Sequence, residues 1–249
     1  MTIGIIVVVS CVLLLLAMFK EANENNVRKH VVKAIGKKET LRLFFISDTH
    51  ARKINERMIK NIGGQVDAVI IGGDFVDKRT SPQKLEHNIR LLKRLGPVYF
   101  VWGNNDVEFG EKQLRRYFDK HQVRVLENEA VLLQSENQLK LSGVIYSPNE
   151  QKIAQALSGC DEAKTVFVAH NPQQFPKVYR QFKPLLSMGG HLHGGQIRIG
   201  SYGIQPHGSF KKINIRYELV SNGYGTTLLP LRFCAKPECH IIELKFYEK

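Results

Sequence analysis

Apolar runs alternate with polar, turn-rich segments along most of the chain. Five of these runs are five to seven residues long and rich in Val, Ile, Leu and Phe, which is typical of buried strands: residues 41–47, 66–72, 98–102, 164–169 and 184–188. Helical patterns are predicted near residues 54–62, 83–95 and 112–121, and Pro82 stands where proline favours a helix start. The first half of the domain therefore follows a βαβαβ order, which predicts an α/β fold.

The second half of the chain predicts a second sheet. Residues 123–128 read as a further strand, and residues 130–134 and 139–145 read as a hairpin. Strands near residues 196–199, 212–220 and 240–246 are expected to complete the second sheet. The predicted architecture is a four-layer α/β/β/α sandwich over residues 41–249.

The N-terminus carries the longest apolar run, from Ile3 to Phe19, which contains no charged residue. As a helix it would extend roughly 26 Å, just enough to span a bilayer core of about 30 Å. A cleaved signal peptide is the main alternative, but the run lacks a preceding basic residue and a following small-x-small site. We therefore predict a transmembrane anchor over residues 1–20 and a basic linker over residues 21–40.

Charges flanking this run predict its orientation. All nearby cations lie on its C-terminal side: Lys20, Arg28, Lys29, Lys33, Lys37 and Lys38. The positive-inside rule then predicts a single-pass protein of the cell membrane with its domain in the cytoplasm, although export remains an alternative. The same cations would attract anionic lipid headgroups.

The composition narrows the partners but does not choose among them. The chain has 36 basic and 23 acidic residues, a formal net charge of +13, which favours nucleic acid, acidic lipids or phosphorylated substrates. Four cysteines do not predict a disulfide framework in a chain of this length. Cys234, Cys239 and His240 offer only three donors, so we do not predict a zinc site there.

Metal-ligating side chains follow the five strand-like runs. The candidates are Asp48, His50, Asp74, Asn104, His170, His191 and His193. Strand ends at one edge of an α/β sheet can converge on a single site. Seven donors are too many for one tetrahedral ion, and nitrogen and oxygen donors without thiolate favour manganese, iron or zinc. The sequence therefore predicts two divalent metal ions. The remaining histidines match no motif: His30, His87, His121, His207 and His240.

The motifs D-x-H, GGD, GN-x-D, AH and GHLHGG occur in this order, and together they resemble the calcineurin-like metallophosphoesterases. The tail NGYGTTLLPLRFCAKPE further resembles the bacterial, membrane-associated YkuE-like branch. The resemblance implies that Asp74 bridges two ions and that a hydroxide between them is the nucleophile. It implies two ligand sets, one of Asp48, His50, Asp74 and His193, and one of Asp74, Asn104, His170 and His191.

The family motif GNHD reads Gly103-Asn104-Asn105-Asp106 in this chain. The resemblance implies catalytic roles at Asn105, Asp106 and His170, in which the aspartate orients residue 105 near the leaving group. Asn105 can donate a hydrogen bond but cannot act as a general acid. We expect this substitution to change the preferred substrate more than the activity itself.

Three functional hypotheses follow. The first is a membrane-anchored dinuclear phosphoesterase acting on phosphomonoesters, phosphodiesters or a lipid-linked diphosphate of a small molecule or lipid. The second is a metal-dependent nuclease, which the basic charge supports but which the anchor and the lack of a separate DNA-binding module disfavour. The third is a non-catalytic, metal-holding interaction module, suggested by Asn105. The oligomeric state is left open.

Overall fold

The computed structural model describes residues 1–248, in which two six-stranded sheets pack face to face. The helices are α1 (Thr2–Ala22), α2 (Glu56–Asn61), α3 (Pro82–Lys93), α4 (Glu111–His121), α5 (Glu150–Ala156) and α6 (Phe175–Tyr179). The strands are β1 (Asn26–Ile35), β2 (Glu39–Ile46), β3 (Ala68–Ile71), β4 (Val98–Phe100), β5 (Arg124–Val125), β6 (Glu129–Leu132), β7 (Lys140–Gly143), β8 (Thr165–Val168), β9 (Leu186–Gly189), β10 (Arg198–Ile199), β11 (Tyr202–Gly203), β12 (Ser209–Ile213), β13 (Arg216–Val220) and β14 (Glu238–Tyr247).

Three apolar clusters define the layers. The middle cluster joins the facing sides of the two sheets, for example Phe45 of β2 and Val166 of β8. A second cluster packs the outer side of the first sheet against α2, α3 and α4, and a third packs the outer side of the second sheet against α5 and α6. The predicted α/β/β/α sandwich is therefore confirmed.

The strand order gathers the predicted ligands at one edge. The first sheet runs β1-β14-β2-β3-β4-β5, and the second runs β12-β13-β9-β8-β7-β6. Strands β2, β3 and β4 are mutually parallel, and so are β8 and β9. Parallel strands end at the same edge, so the loops after these five strands meet at one end of the sandwich. The predicted hairpin of β6 and β7 is also confirmed.

Two predicted members of the second sheet lie elsewhere. Strand β14, expected there from residues 240–246, lies inside the first sheet between β1 and β2. Its apolar side chains are buried on both faces, with Ile241 toward the helices and Ile242 toward the other sheet, as suits a central strand. Of residues 196–199, only Arg198 and Ile199 are extended, and they form a separate two-stranded hairpin with β11.

The predicted linker over residues 21–40 is the main correction to the domain boundaries. Half of it is β1, which pairs in parallel with β14 over ten positions. Val32 is fully buried between the sheets, whereas Arg28, Lys29 and Lys33 belong to the edge of the first sheet. Charged side chains on an edge strand discourage pairing with another chain. Because such a strand is rich in basic residues, its sequence resembles that of a solvated linker.

Helix α1 matches the predicted anchor and extends two residues beyond it. It has a mean hydropathy of 2.9 over an 18-residue window and is long and apolar enough to cross a membrane. Its C-terminal end contacts the domain: the backbone N–H of Arg232 donates to the carbonyl of Met18 over 3.1 Å, and the N–H of Ala235 donates to Glu21 Oε1 over 3.1 Å. The helix is therefore joined to the domain at its C-terminal end.

The placement of β1 predicts an asymmetric response to two neighbouring substitutions. Val32→Ala should lower the free energy of unfolding by about 2 kcal/mol, because it removes two buried carbon atoms and leaves a cavity. Val31→Ala, at a side that is 42% exposed, should cost much less. Urea denaturation of the full chain in detergent measures both. Equal, negligible effects would show that residues 26–35 behave as a linker.

Candidate metal centre

The backbone at the predicted ligands is unusual for residues with side chains. Five of them have positive φ angles between 49° and 69°: Asp48, His50, Asp74, His191 and His193. Non-glycine residues rarely adopt this left-handed conformation, which costs of order 1 kcal/mol or more each. Such strain concentrated in one place indicates that the loops are shaped for a site.

Glycines allow these loops to approach one another. Gly190 packs so closely on the carboxylate of Asp48 that a Cβ there would collide with it. Gly73 has a φ of +85°, and an added Cβ would lie 2.5 Å from Nδ1 of His170. The glycines of the GGD and GGHLHGG motifs are therefore required by the packing of the ligands.

Asp48, His50 and His193 form the first ligand cluster, and all three are buried. The Nε2 atoms of the two histidines lie only 3.1 Å apart, and Nε2 of His193 lies 3.4 Å from Oδ1 of Asp48. The backbone N–H of His191 donates to both oxygens of Asp48, which fixes the carboxylate. Two ring nitrogens and a carboxylate facing one point are a donor set that suits a divalent cation.

Asp74, His170 and His191 form the second cluster. Nδ1–H of His170 donates to the carbonyl of Gly72 over 2.8 Å, which fixes the ring and leaves Nε2 facing the cluster. That Nε2 is buried, has no hydrogen-bond partner and lies 3.3 Å from Oδ2 of Asp74. A buried nitrogen without a partner is costly, which is the condition expected of a metal ligand.

Asp74 belongs to the second cluster and also faces the first. Its Oδ1 accepts a hydrogen bond of 2.8 Å from the backbone N–H of Asn105, so this oxygen is fixed. Its Oδ2 lies 3.3 Å from Nε2 of His170 and 3.9 Å from Nε2 of His50. The geometry therefore gives Asp74 the position implied for a bridging ligand.

Asn104 and Asn105 act as a pair. The side-chain amide of Asn104 donates to Oδ1 of Asn105 over 2.5 Å, and Oδ1 of Asn104 is buried without a partner. Asn105 thus turns the oxygen of Asn104 away from itself and leaves its own amide N–H groups free to donate. All seven predicted ligands are brought to one edge of the sandwich.

The carboxylate of Asp106 contacts backbone groups of the ligand loops. Its carboxylate accepts hydrogen bonds from the backbone N–H groups of Gly103, Asp74 and Val76, over 2.7, 2.9 and 3.1 Å. Burial and the charge of Asp74 raise the pKa of Asp106 to about 7, although these hydrogen bonds act to lower it. Asp106 therefore joins the loops after β3 and β4, and its implied role in orienting Asn105 stays a prediction.

The two clusters hold an excess of negative charge. Burial opposes protonation of His170, but the carboxylates of Asp74 and Asp48 outweigh it and raise the pKa of His170 to about 9. Burial and the charge of Arg232 lower the pKa of His193 well below its ordinary value. His193 therefore offers a free nitrogen at neutral pH, whereas a cation at the second cluster must displace a proton from His170.

Two residues that support the ligands were not predicted. Asp77 Oδ2 lies 3.4 Å from Nδ1 of His50; burial raises the pKa of Asp77, but the nearby His50 and hydrogen bonds from Arg79 hold it below the usual range. Arg232 is fully buried and donates to the carbonyl of His193 and to those of neighbouring loops. The second Asp in GGDFVD was a signal for Asp77, whereas the sequence gives no signal for Arg232.

The centre opens on the side of Asn104 and His191. Both are partly exposed, and the ring of Tyr146 lies 5.5 Å from that of His191 and 5.9 Å from that of His170. A cavity of about 350 Å³ begins at Asn104 and continues past Tyr146 to Glu127. This is the side from which a substrate can reach the ligands.

The histidines outside the motifs have other partners. His30 and His240 hydrogen-bond to each other over 3.0 Å, and His121 pairs with Glu86. His87 lies 3.2 Å from the carbonyl of Ile54, and His207 is exposed. Over residues 1–248, the candidate metal-ligand groups are the two clusters described above, and neither includes Cys234, Cys239 or His240.

An α/β/β/α sandwich with histidine, carboxylate and amide donors at the strand ends defines a metal-dependent hydrolase. The model of the calcineurin-like phosphoesterase superfamily domain matches residues 41–194. The chain belongs to this family, and it is a metal-dependent phosphoester hydrolase.

Comparisons with individual proteins agree. The chain is 34% identical to the uncharacterized Bacillus subtilis protein YpbG over 234 residues, which cover 91% of this chain and 90% of YpbG. It is 25% identical to the B. subtilis metallophosphoesterase YkuE over 197 residues, covering 72% and 68% of the two chains. A putative 5′-nucleotidase from Staphylococcus aureus shares the fold with a TM-score of 0.51 at 11% identity, covering 82% of this chain and 54% of that one. The predicted resemblance is confirmed.

The contact between Asp77 and His50 predicts a selective loss of metal affinity. Asp77→Asn should weaken binding at the first cluster by roughly 10- to 100-fold, because His50 loses the carboxylate that orients its ring. Binding at the second cluster should change little. Competition with a chelator measures both affinities, with the exposed Asp119→Asn as control. Two unchanged affinities would show that Asp77 does not support the centre.

Proposed function

We propose that the chain is a membrane-anchored phosphoesterase whose two ligand clusters hold two divalent ions. The observation that carries this proposal is the position of Asp74 Oδ2 between the two clusters, facing Nε2 of His170 and Nε2 of His50. Asp48, His50, Asp74 and His193 would hold one ion. Asp74, Asn104, His170 and His191 would hold the other.

The donor set fits such ions. Two buried atoms have no hydrogen-bond partner: Nε2 of His170, in the second cluster, and Oδ1 of Asn104. When bound, two such ions supply electrophilic stabilisation of phosphoryl oxygens and a nucleophile from water at neutral pH. Manganese, iron and zinc all suit nitrogen and oxygen donors.

The residues of this chain orient the substrate. Asn105 is partly exposed and follows Asn104, which lines the cavity beside Tyr146, and its amide can donate to a phosphoryl or leaving-group oxygen. Asn105 cannot supply a proton to a departing alkoxide. The site therefore favours esters whose leaving group is stable as an anion, such as an aryl oxide or the phosphate of a diphosphate.

Membrane attachment is supported by α1. The contacts of Met18 and Glu21 with residues 232 and 235 make the end of the helix part of the domain, which favours an uncleaved anchor. Basic residues follow the helix, and by the positive-inside rule the domain faces the cytoplasm. Substrates of this enzyme would then be phosphorylated small molecules or lipids that reach the cytoplasmic surface.

Loss of the bridging carboxylate tests the proposed centre. Asp74→Asn should lower kcat/KM for an aryl phosphodiester and an aryl phosphomonoester at least about 10³-fold, because both ions lose a shared ligand. Metal content should fall with it. Hydrolysis and elemental analysis of the manganese-loaded full chain measure these effects, with Asp119→Asn as control. Hydrolysis that persists in Asp74→Asn would contradict the proposal.

Asn105 predicts a dependence on the leaving group. Asn105→His should raise kcat for poor leaving groups by roughly tenfold or more, because imidazole can donate a proton. Good leaving groups should gain little. A series of aryl and alkyl phosphates measures the slope of rate against leaving-group pKa. Asn105→Ala is the control, which removes the amide and supplies no acid, and it should be slower than the wild type on every substrate. An unchanged slope in Asn105→His would show that no acid is missing.

A further inference from the structure

A second cavity lies at the junction of α1 and the domain. Its volume is about 470 Å³, and its walls include Asn23 at the end of α1, Arg52 and Lys53 after β2, and Pro230 of the C-terminal tail. None of the seven candidate metal ligands is among its described lining residues. It is therefore distinct from the opening beside Asn104.

This cavity is strongly cationic. Four basic side chains line it, Arg52, Lys53, Arg79 and Lys84, and over residues 1–248 no acidic residue does. Arg79 is neutralised by an ion pair with Asp77. The other three cations leave the cavity with a net positive charge.

The polar contacts of these cations are with neutral groups. Arg52 is partly buried and donates to the carbonyls of Tyr224 and Glu24, and Lys84 donates to the carbonyl of Ala51 over 2.9 Å. Lys53 is exposed. Partly buried charge that has only neutral acceptors is stabilised by an added anion.

The depth of the cavity matches the headgroup layer of a bilayer. The apolar run of α1 ends at Phe19, and Asn23 lies four residues further on, a rise of about 6 Å along a helix. The polar layer on each side of a bilayer core is roughly 5–7 Å thick. A helix that spans the core therefore places this cavity among lipid phosphates.

An apolar groove continues from the cavity along the helix. It is lined by Val12, Leu15, Leu16 and Phe19 of α1 and by Leu229, Pro230 and Leu231 of the tail. Pro230 lines both the groove and the cationic cavity. Leu229 is 62% exposed beside the membrane-facing helix. An amphiphile could lie with its chain in the groove and its headgroup in the cavity.

We propose that this cavity binds the phosphate headgroup of an anionic lipid in the leaflet next to the domain. This inference rests on the membrane anchoring within the proposed function, but not on the hydrolysis. A bound headgroup connects the segment after β2 to the bilayer, in addition to α1. Two attachments restrict rotation of the whole protein about the axis of α1. They therefore fix the direction, relative to the membrane, in which the metal centre opens.

Hydrogen exchange on the full chain in lipid nanodiscs tests this proposal. Discs of phosphatidylcholine alone are compared with discs that also contain phosphatidylglycerol. The anionic lipid should slow amide exchange within residues 51–55 and 226–230 by about fivefold or more, because a bound ligand suppresses local opening. Each variant is compared with itself in the two kinds of disc.

The response should be lost in Lys53→Ala/Lys84→Ala and retained in Lys53→Arg/Lys84→Arg. The control Lys152→Ala/Lys177→Ala removes the same charge from exposed positions and should respond as the wild type does. Equal responses of the alanine pair and this control would overturn the proposal. So would slowing of the same size by inorganic phosphate in phosphatidylcholine discs, since the source would then be free phosphate.

Flotation of the wild-type chain with vesicles separates this inference from the proposed function. A chain that does not float overturns both the anchor and the headgroup site. A chain that floats but shows no response to phosphatidylglycerol overturns the headgroup site alone. Hydrolysis of a water-soluble aryl phosphodiester by the same preparation reports on the phosphoesterase activity independently.

Discussion

Two buried carboxylates, Asp48 and Asp74, impose the constraint on which the rest of the centre depends. They are 0% and 2% exposed and lie among the Nε2 atoms of His50, His170 and His193. Buried carboxylates are costly unless a cation or hydrogen bonds compensate them. The raised pKa of His170 is one response to this charge, and the proposed divalent ions are the stronger one. Assembling these groups requires left-handed backbone conformations at five ligand residues, which cost conformational free energy. It also requires glycines where the loops pack closely.

The positions of the candidate ligands could be predicted from the sequence because each closely follows an apolar run whose strand character is visible in the local pattern. The places of the edge strand β1 and the central strand β14 in the sheets were harder to predict. Strand β1 was predicted as a linker because its basic side chains, which suit an edge strand, resemble a solvated segment. Strand β14 was assigned to the wrong sheet because its neighbours, β1 and β2, lie more than 190 residues away in the sequence. Asp77 and Arg232 could not be assigned roles, since their contacts with His50 and His193 exist only in the folded chain.

Helix α1 and the edge that carries the candidate metal ligands belong to one structural unit. The tail after β13 contacts the end of α1 through residues 232 and 235, and Arg232 also donates to the carbonyl of His193. The same few residues thus connect α1 to a candidate ligand. This arrangement explains how the tail, although distant in sequence from the first motifs, contacts the candidate metal centre.

The most direct test of the proposed centre is the anomalous scattering of manganese in crystals of the metal-loaded full chain. We predict two peaks per chain, one among Asp48, His50 and His193 and one among Asn104, His170 and His191, with Asp74 between them. A single peak, or peaks away from both clusters, would contradict a two-ion centre bridged by Asp74.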